Sequence, residues 1–414
     1  MQALIDHRIE SRGMPRLPSK PSRKPAAQPS DSPADHPEIA SKCPENASES
    51  SVAGRESVIR EIDAVFKRAG LVRSRREKPA GVARRARFQN ATREELSPIP
   101  PKPAIAPNGV EWLTLPAWDE IPWLWYGFST RRGGVTRAYC GEDAPGELNL
   151  GFTAEDERAN VARNRRLLAE SITGHPDTPL VTVRQIHSSV LVVRAAALDC
   201  AGRAGQLSKG DGLMTDQPGT LLGIQTADCI PVLVADLKRR AVAAFHAGWR
   251  GTVKRIVENG IGRMRLEFGS QPEDLVAAIG PGIGVCCYAV GEEVFSEFES
   301  QFTYGSELFR EVYDTDPVRT KYPMLFLTAR APGHSTIGPS LHLDLVEANR
   351  RQLLAAGLKV DAIQVAGACT NCHPEMFFSH RASHGQCGRM MSVIGISGKT
   401  GITKDREKNV AAHV

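Results

Sequence analysis

The residues best suited to chemistry sit close together, in Thr226-Ala-Asp-Cys-Ile-Pro-Val-Leu-Val-Ala-Asp236, Leu237-Lys-Arg-Arg240 and Ala241-Val-Ala-Ala-Phe-His-Ala-Gly-Trp-Arg-Gly251. This stretch holds a thiol, Cys229, and an imidazole, His246. Brought together, such a pair can hold a metal ion or pass one proton, and a thiolate beside an imidazole can also act as a nucleophile. Residue types alone do not separate ligand from nucleophile.

The flanking pattern brings the two together. Two apolar runs around a short charged break predict a β-hairpin. With the turn centred on Leu237-Lys238, as two residues or as a loop from Asp236 to Arg239, residues whose numbers sum to 475 lie opposite one another, and Cys229 faces His246. Directly opposed residues share a face with Cβ atoms roughly 5 Å apart. Leu-Lys is not a favoured two-residue turn, and Pro231 inside the first run points to an edge, a strand start or a bulge.

A catalytic zinc site takes three protein ligands and leaves a position open. His187, in Gln185-Ile-His-Ser-Ser, stands at a strand end and is the best third candidate, although spacing alone adds nothing to it. Arg250, at a Gly-Trp-Arg-Gly turn opening a helix, suits an anion such as phosphate, unless it merely packs on Trp249. Arg131 and Arg132 beside Gly133-Gly134 form a second candidate cradle, and Arg381 a third. Asp211 and Asp228 could serve as acid or base, but in a regular strand Asp228 faces away from Cys229. Cys369-Thr-Asn-Cys372-His373, with His380, His384 and Cys387, has the short spacing of a zinc knuckle. Cys387 lacks a paired partner, however, and the histidine offsets are unusual. The vicinal Cys286-Cys287 reads as buried.

The elements that must position these groups follow from periodicity. Ile121–Ser129, Leu180–Val183, Val190–Val193, Thr220–Gln225, Leu275–Ile279, Val360–Val365 and Met390–Ile396 read as strands. Glu155–Ser171, the residues after Gly251 and Asp344–Ala356 read as helices. Strands and helices interleave without regular βαβ spacing, which predicts an α/β body with mixed, partly antiparallel sheets in a single layered sandwich over 110–398.

Ahead of it, residues 1–107 are rich in Pro, Ser and Arg and read as a disordered tail, with a short amphipathic helix over 56–72 and an extended linker from Pro98 to Pro107. Residues 399–414 read as a polar C-terminal tail. Of the 414 residues, the first 107 carry 20 Lys+Arg against 13 Asp+Glu, leaving 32 against 34 for the rest. The body is therefore not a nucleic-acid binder on charge grounds. Nine scattered cysteines fit reduced thiols rather than a disulfide framework, no apolar run is long enough for a membrane span, and no signal peptide is seen. The expected setting is the cytoplasm.

Ordered along the chain, Phe128-Ser-Thr-Arg131, Leu148-Asn-Leu-Gly151, Asn164-Arg-Arg166, Gln185-Ile-His187, Asp211-Gly-Leu-Met-Thr215, Ala227-Asp-Cys-Ile-Pro231, His246-Ala-Gly-Trp-Arg-Gly251, Gly280-Pro-Gly-Ile-Gly284, Cys369-Thr370, Phe378-Ser-His-Arg381 and Gly388-Arg389 form a specific set. From about Trp112 to Ile396 the chain resembles the YfiH-type laccase-domain family of purine nucleoside phosphorylases and adenosine deaminases, formerly described as multicopper polyphenol oxidases. The resemblance implies a two-sheet α/β fold and a zinc ion bound by His187, Cys229 and His246. It also implies phosphorolysis of inosine, adenosine and methylthioadenosine, adenosine deamination, and nucleoside and phosphate as partners. Gly282 stands where the family commonly has cysteine, and Ala289 where glutamate follows the tyrosine.

For that activity Arg250 and Arg131 are the candidates for phosphate, with Cys229 and His246 at the reacting centre. Copper suits the donor set less well, because a multicopper oxidase needs many more paired histidines. The competing readings are a Cys-His hydrolase of a cell-wall precursor or amide, a laccase-like polyphenol oxidase, and a metal-binding protein without catalysis.

Overall fold

The computed structural model describes residues 89–92, 96, 101–141, 143–193, 208–313 and 340–398. All belong to one compact unit, Ala80–Val414. The expected helix over 56–72, most of the expected tail and the segment after residue 398 lie outside the described residues.

Along the chain the elements are β1 (Gln89–Thr92), β2 (Ala104–Ile105), β3 (Glu111–Leu113), α1 (Pro116–Asp119), β4 (Leu124–Ser129), β5 (Arg132–Thr136), α2 (Arg158–Thr173), β6 (Leu180–Val181), β7 (Leu191–Val193), β8 (Gly212–Thr215) and β9 (Leu221–Thr226). Then come β10 (Ile230–Asp236), β11 (Val242–Ala247), α3 (Trp249–Val253), α4 (Ile256–Phe268), β12 (Leu275–Ile279), α5 (Glu292–Gln301), β13 (Phe309–Tyr313), β14 (Ser340–Leu343), α6 (Leu345–Ala355), β15 (Ile363–Val365) and β16 (Met390–Ile396). Pairing begins ahead of the expected start near Val110: β2 pairs with β3, and β1 runs parallel to β13.

Two six-stranded mixed sheets form the body, ordered β15-β12-β10-β11-β8-β7 and β2-β3-β4-β16-β9-β6, with β1-β13-β14 as a smaller third sheet. The inner faces meet through Leu233, Ala235, Val242 and Ala244 of the first sheet and Phe128, Leu222, Ile224 and Ile394 of the second, all fully buried. The other face of the first sheet, through Val232, Val234, Ala243 and Phe245, packs on α4, α5 and α6. Helix α2 covers the second sheet through Leu168, Ala169 and Ile172. The result is the layered α/β sandwich the sequence predicts.

Every residue of β10 and β11 is buried. With both faces covered, these strands read as continuous apolar runs rather than alternating ones. Each large side chain sealed there contributes roughly 1.5–3 kcal/mol. The contact of α4 with β11 needs glycine: a Cβ at Gly260 would lie 2.3 Å from the Phe245 ring.

The hairpin forms, but in a different register from the expected one. Pairs sum to 477: Pro231 opposes His246 and Ala235 opposes Val242. The Asp236 carboxylate accepts hydrogen bonds from the Lys238 and Arg239 amides at 2.9 and 2.7 Å, and Arg240 turns back with φ 53°. The loop is therefore the four residues Leu237 to Arg240, because an aspartate at its start satisfies the turn that Leu-Lys cannot. A slip of two residues keeps every side chain on its face. Pro231 sits in a central strand at the end of its pairing with β12, where its carbonyl still accepts from the Gly280 amide at 2.9 Å and its missing N–H forfeits only the last bond of that ladder.

Candidate metal centre

At the open end of the hairpin, one donor atom each from His187, Cys229 and His246 lies within 4.8 Å of the others. The shift in register makes Cys229 and His246 diagonal neighbours rather than directly opposed ones. The two still converge, because Cys229 precedes β10 by one residue and His246 shares the face of Ala244. His187 is exposed, Cys229 half-buried and His246 buried, so the cluster is open on one side.

Asp211 holds this arrangement together. It is fully buried at the start of β8, and its Oδ1 lies 2.9 Å from His246 Nδ1. The same carboxylate accepts hydrogen bonds from the amides of Ile186, His187 and Ser188 and from the Ser188 hydroxyl. Burial would raise its pKa, but hydrogen bonds from His246 and Ser188 outweigh that and hold the carboxyl well below the usual range. An ionised carboxylate only accepts, so His246 Nδ1 carries a proton toward Asp211, and Nε2 is the nitrogen left for the cluster.

One buried acid thus orients one histidine and also fixes the loop carrying another, His187, whose backbone adopts φ 56°. Left-handed backbone at a non-glycine residue is uncommon and collects at functional sites. Sequence periodicity gives no sign of this coupling, although Asp211 opens one of the chain's motifs, Asp211-Gly-Leu-Met-Thr215.

Cys229 and His246 shift one another. Burial alone would raise the thiol and lower the imidazole. The mutual charge and hydrogen bonds reverse both, taking Cys229 down to about 6 and His246 up to about 9. Without a metal the pair is a thiolate beside an imidazolium. Gly248 makes room for it: a Cβ there would meet Cys229 Sγ at 2.9 Å and His187 Cδ2 at 3.3 Å.

Around Cys229 gather groups the sequence only partly indicated. Asp228, with φ 90°, accepts hydrogen bonds from the Thr370 hydroxyl and the Arg381 amide, both at 2.7 Å. It therefore braces the backbone before Cys229 through Thr370 and Arg381. The Tyr288 hydroxyl is pushed well above its usual value by burial and by the Cys229 charge, against the opposing charges of Arg381 and Arg250. Tyr288, Arg250 and Arg381 thus share the neighbourhood of Cys229, and Tyr288 was not expected. Arg250 is exposed, lies 4.3 Å over the Trp249 ring and forms no ion pair among the described residues. Its helix α3 is only five residues long, so little macrodipole stands behind it.

Arg131 is occupied differently. Its Nη2 pairs with Glu147 at 2.6 Å, its Nη1 donates to the Pro374 carbonyl, and the guanidinium lies 4.6 Å over Phe378. It lines a cavity of about 410 Å³ with Tyr139, Glu155, Phe378 and Ser379, and none of the three cluster donors lines that cavity. Arg132 Nε donates to the Glu375 carbonyl.

The knuckle suggested by spacing within 369–387 does not close on itself. Cys387 lies in the core between the sheets, and His373 pairs with Glu375. Cys369 and Cys372 instead meet Cys286 and Cys287. Sequence spacing could not show this, because the partners lie more than 80 residues away. The seven described cysteines are all free, and among the described residues no helix is long and apolar enough to cross a membrane.

The family model described as multi-copper polyphenol oxidoreductase laccase matches residues 125–397. A protein named purine nucleoside phosphorylase from Bacteroides thetaiotaomicron is 36% identical over 270 residues, covering 65% of this chain and 90% of the relative. An adenosine deaminase, RL5, from an unknown prokaryotic organism is 32% identical over 270 residues, covering 64% of this chain and 92% of the relative. The crystal structure of YlmD from Geobacillus stearothermophilus aligns with a TM-score of 0.58 at 30% identity, covering 72% of this chain and 99% of that one. The family match takes in the first sheet, the second sheet apart from β2 and β3, the hairpin and the donor cluster at its mouth, and the chain belongs to the multi-copper polyphenol oxidoreductase laccase family, the YfiH-type family its motifs resemble.

Proposed function

We propose that this chain is a zinc-dependent purine nucleoside enzyme, cleaving inosine, adenosine or methylthioadenosine with phosphate and deaminating adenosine. The observation that carries the reading is the donor cluster itself: two imidazoles and a thiol within 4.8 Å, open on the His187 side, with Asp211 orienting His246 from behind. The names of the relatives, purine nucleoside phosphorylase and adenosine deaminase, support the substrate class.

The residues fit a metal. Three neutral or anionic donors with a free approach make the usual pattern of a catalytic zinc site, and an outer carboxylate on the histidine is its usual companion. Bound there by His187, Cys229 and His246, zinc would supply Lewis-acid charge and a water of lowered pKa.

In phosphorolysis a phosphate oxygen bonds to the sugar C1′ as the C1′–N9 bond breaks, and the purine leaves with that electron pair. Arg250, exposed and without a carboxylate partner among the described residues, holds the phosphate, and Arg381 adds positive charge. Arg131 has both terminal nitrogens engaged and serves as a wall of the neighbouring cavity, where it positions rather than binds phosphate. Tyr288, kept neutral, is a hydrogen-bond donor beside Cys229. In deamination a water oxygen bonds to C6 of the purine and the C6–N bond breaks, one water proton leaving on the amino nitrogen as ammonia and the other passing to ring N1. A cytoplasmic setting belongs to this reading, supported by the free cysteines.

One observation favours a second reading. In the metal-free chain Cys229 is a thiolate beside His246, the arrangement of a Cys-His hydrolase. Incubating the purified protein with inosine and phosphate, with and without a chelator, separates the two. Hypoxanthine release that chelation abolishes and zinc restores is expected. Turnover that survives chelation but not thiol alkylation would refute the zinc reading. Copper in place of zinc would show as the strong visible absorption of a copper–thiolate bond.

A further inference from the structure

We propose that Cys286, Cys287, Cys369 and Cys372 form a second, structural zinc site that locks the two loops behind the cluster at His187, Cys229 and His246. The four sulfur atoms lie within 4.8 Å of one another, with Cys372 Sγ 3.6 Å from Cys286 Sγ and 3.4 Å from Cys287 Sγ. These separations are far beyond a disulfide bond of about 2.05 Å. They suit a tetrahedron of sulfurs about a zinc ion, whose edge is about 3.8 Å for zinc–sulfur bonds of about 2.3 Å.

The topology delivers the ligands in two pairs. β12 and β15 are parallel neighbours, so the loops that follow them leave the same end of the sheet. Those loops run side by side: the Gly282 amide donates to the Ala368 carbonyl, and the Thr370 amide donates to the Gly282 carbonyl. A turn in which the Cys287 and Tyr288 amides both donate to the Gly284 carbonyl brings the vicinal pair round toward Cys369 and Cys372.

The surroundings are those of a thiolate site. The Gly284 amide donates to Cys369 Sγ at 3.2 Å, the outer hydrogen bond that stabilises a sulfur anion. Ile283, Leu96 and Tyr288 wall the cluster, and three of the four cysteines are buried. Soft, dry, all-sulfur donors select a thiophilic ion, and four protein ligands leave no open position, so the site is structural.

The lock acts at a distance on Cys229. The Ile283 amide donates to the Asp228 carbonyl at 2.8 Å, and the Thr370 hydroxyl donates to the Asp228 carboxylate. Ile283 and Thr370 lie in the loops that carry the proposed ligands, so the ion holds Asp228, the left-handed residue just before Cys229.

The test is zinc content of the full chain, purified under reducing conditions, by mass spectrometry. The wild type should hold two zinc ions per chain, His246→Ala one, and Cys372→Ser one, with a lower Tm for Cys372→Ser than for His246→Ala. In case Cys372→Ser does not fold, cobalt is exchanged into His246→Ala, and the spectrum should show the intense thiolate charge transfer and visible bands of a tetrahedral tetrathiolate site. One zinc per wild-type chain with none in His246→Ala would overturn the proposal. So would a disulfide among these four cysteines, mapped after alkylation of the freshly purified chain.

Discussion

The molecule carries two sulfur-bearing clusters near each other in the fold, and they differ in what closes them. The His187, Cys229 and His246 cluster mixes nitrogen with sulfur, exposes one ligand and is oriented by a buried carboxylate, Asp211. The four-cysteine cluster is all sulfur, walled by Ile283, Leu96 and Tyr288. An open, mixed donor set leaves space for substrate and for proton movement, whereas a closed thiolate set has neither. Proximity of residues able to hold a metal ion is common to both. The difference in closure is what assigns chemistry to the first and rigidity to the second.

The comparison breaks most sharply at His246. His246→Ala should remove both metal and phosphorolysis from the open cluster while the chain stays folded, measured by metal analysis, hypoxanthine release and circular dichroism. The loss should exceed the roughly 10–100-fold effect expected for an outer partner. Asp211→Asn should give that intermediate effect, roughly 10–100-fold in metal affinity by chelator competition, because it weakens the hold on His246 and frees the 186–188 loop together. Unchanged affinity would show that Asp211 is only a structural acid.

Arg250→Met should raise the KM for phosphate roughly 10- to 150-fold, the equivalent of the roughly 1.5–3 kcal/mol of a charge-assisted hydrogen bond, with little change in the KM for inosine. A rise in both KM values alike would mean that Arg250 supports the fold through Trp249 rather than holding phosphate.

Smaller still is Gly248→Ala, which forces a methyl against Cys229 and His187 and should cost roughly 1–3 kcal/mol of metal affinity by overpacking, with the circular dichroism spectrum unchanged.

The last prediction concerns pH. In metal-free protein, alkylation of Cys229 by iodoacetamide should reach half its maximal rate at a pH of about 6 rather than at the ordinary thiol value of 9.0. Burial alone would have moved that midpoint upward. Because the folded Cys229 value lies below the ordinary one and the His246 value, about 9, lies above, the pair stabilises the metal-free fold between them. The thiolate's share is lost as pH falls through about 6 and the imidazolium's as pH rises through about 9.

Much of this was legible because local patterns carry it. β12 and β16 match their apolar runs residue for residue, and the hairpin shows as two such runs around a charged break. The register was not legible, since the Asp236 carboxylate that sets a four-residue loop acts through two amide hydrogen bonds that periodicity does not encode. An even slip left the Cys229–His246 convergence intact. Asp211 could be suspected as an acid, yet its role as a shared anchor depends on strands that meet only in the folded sheet. The four-cysteine cluster was hidden for the same reason. Cys369 and Cys372 show the short spacing of a metal-binding pair, but their partners Cys286 and Cys287 read only as buried, and the parallel pairing of β12 with β15 is what joins the halves.

Zinc-edge X-ray absorption on Cys372→Ser, a chain expected to hold a single zinc ion, bears most directly on the central claim. The account predicts a shell of one sulfur and two imidazole nitrogens completed by oxygen. A shell without sulfur, a shell without imidazole, or a Cys372→Ser chain that turns over inosine while holding no zinc would contradict it.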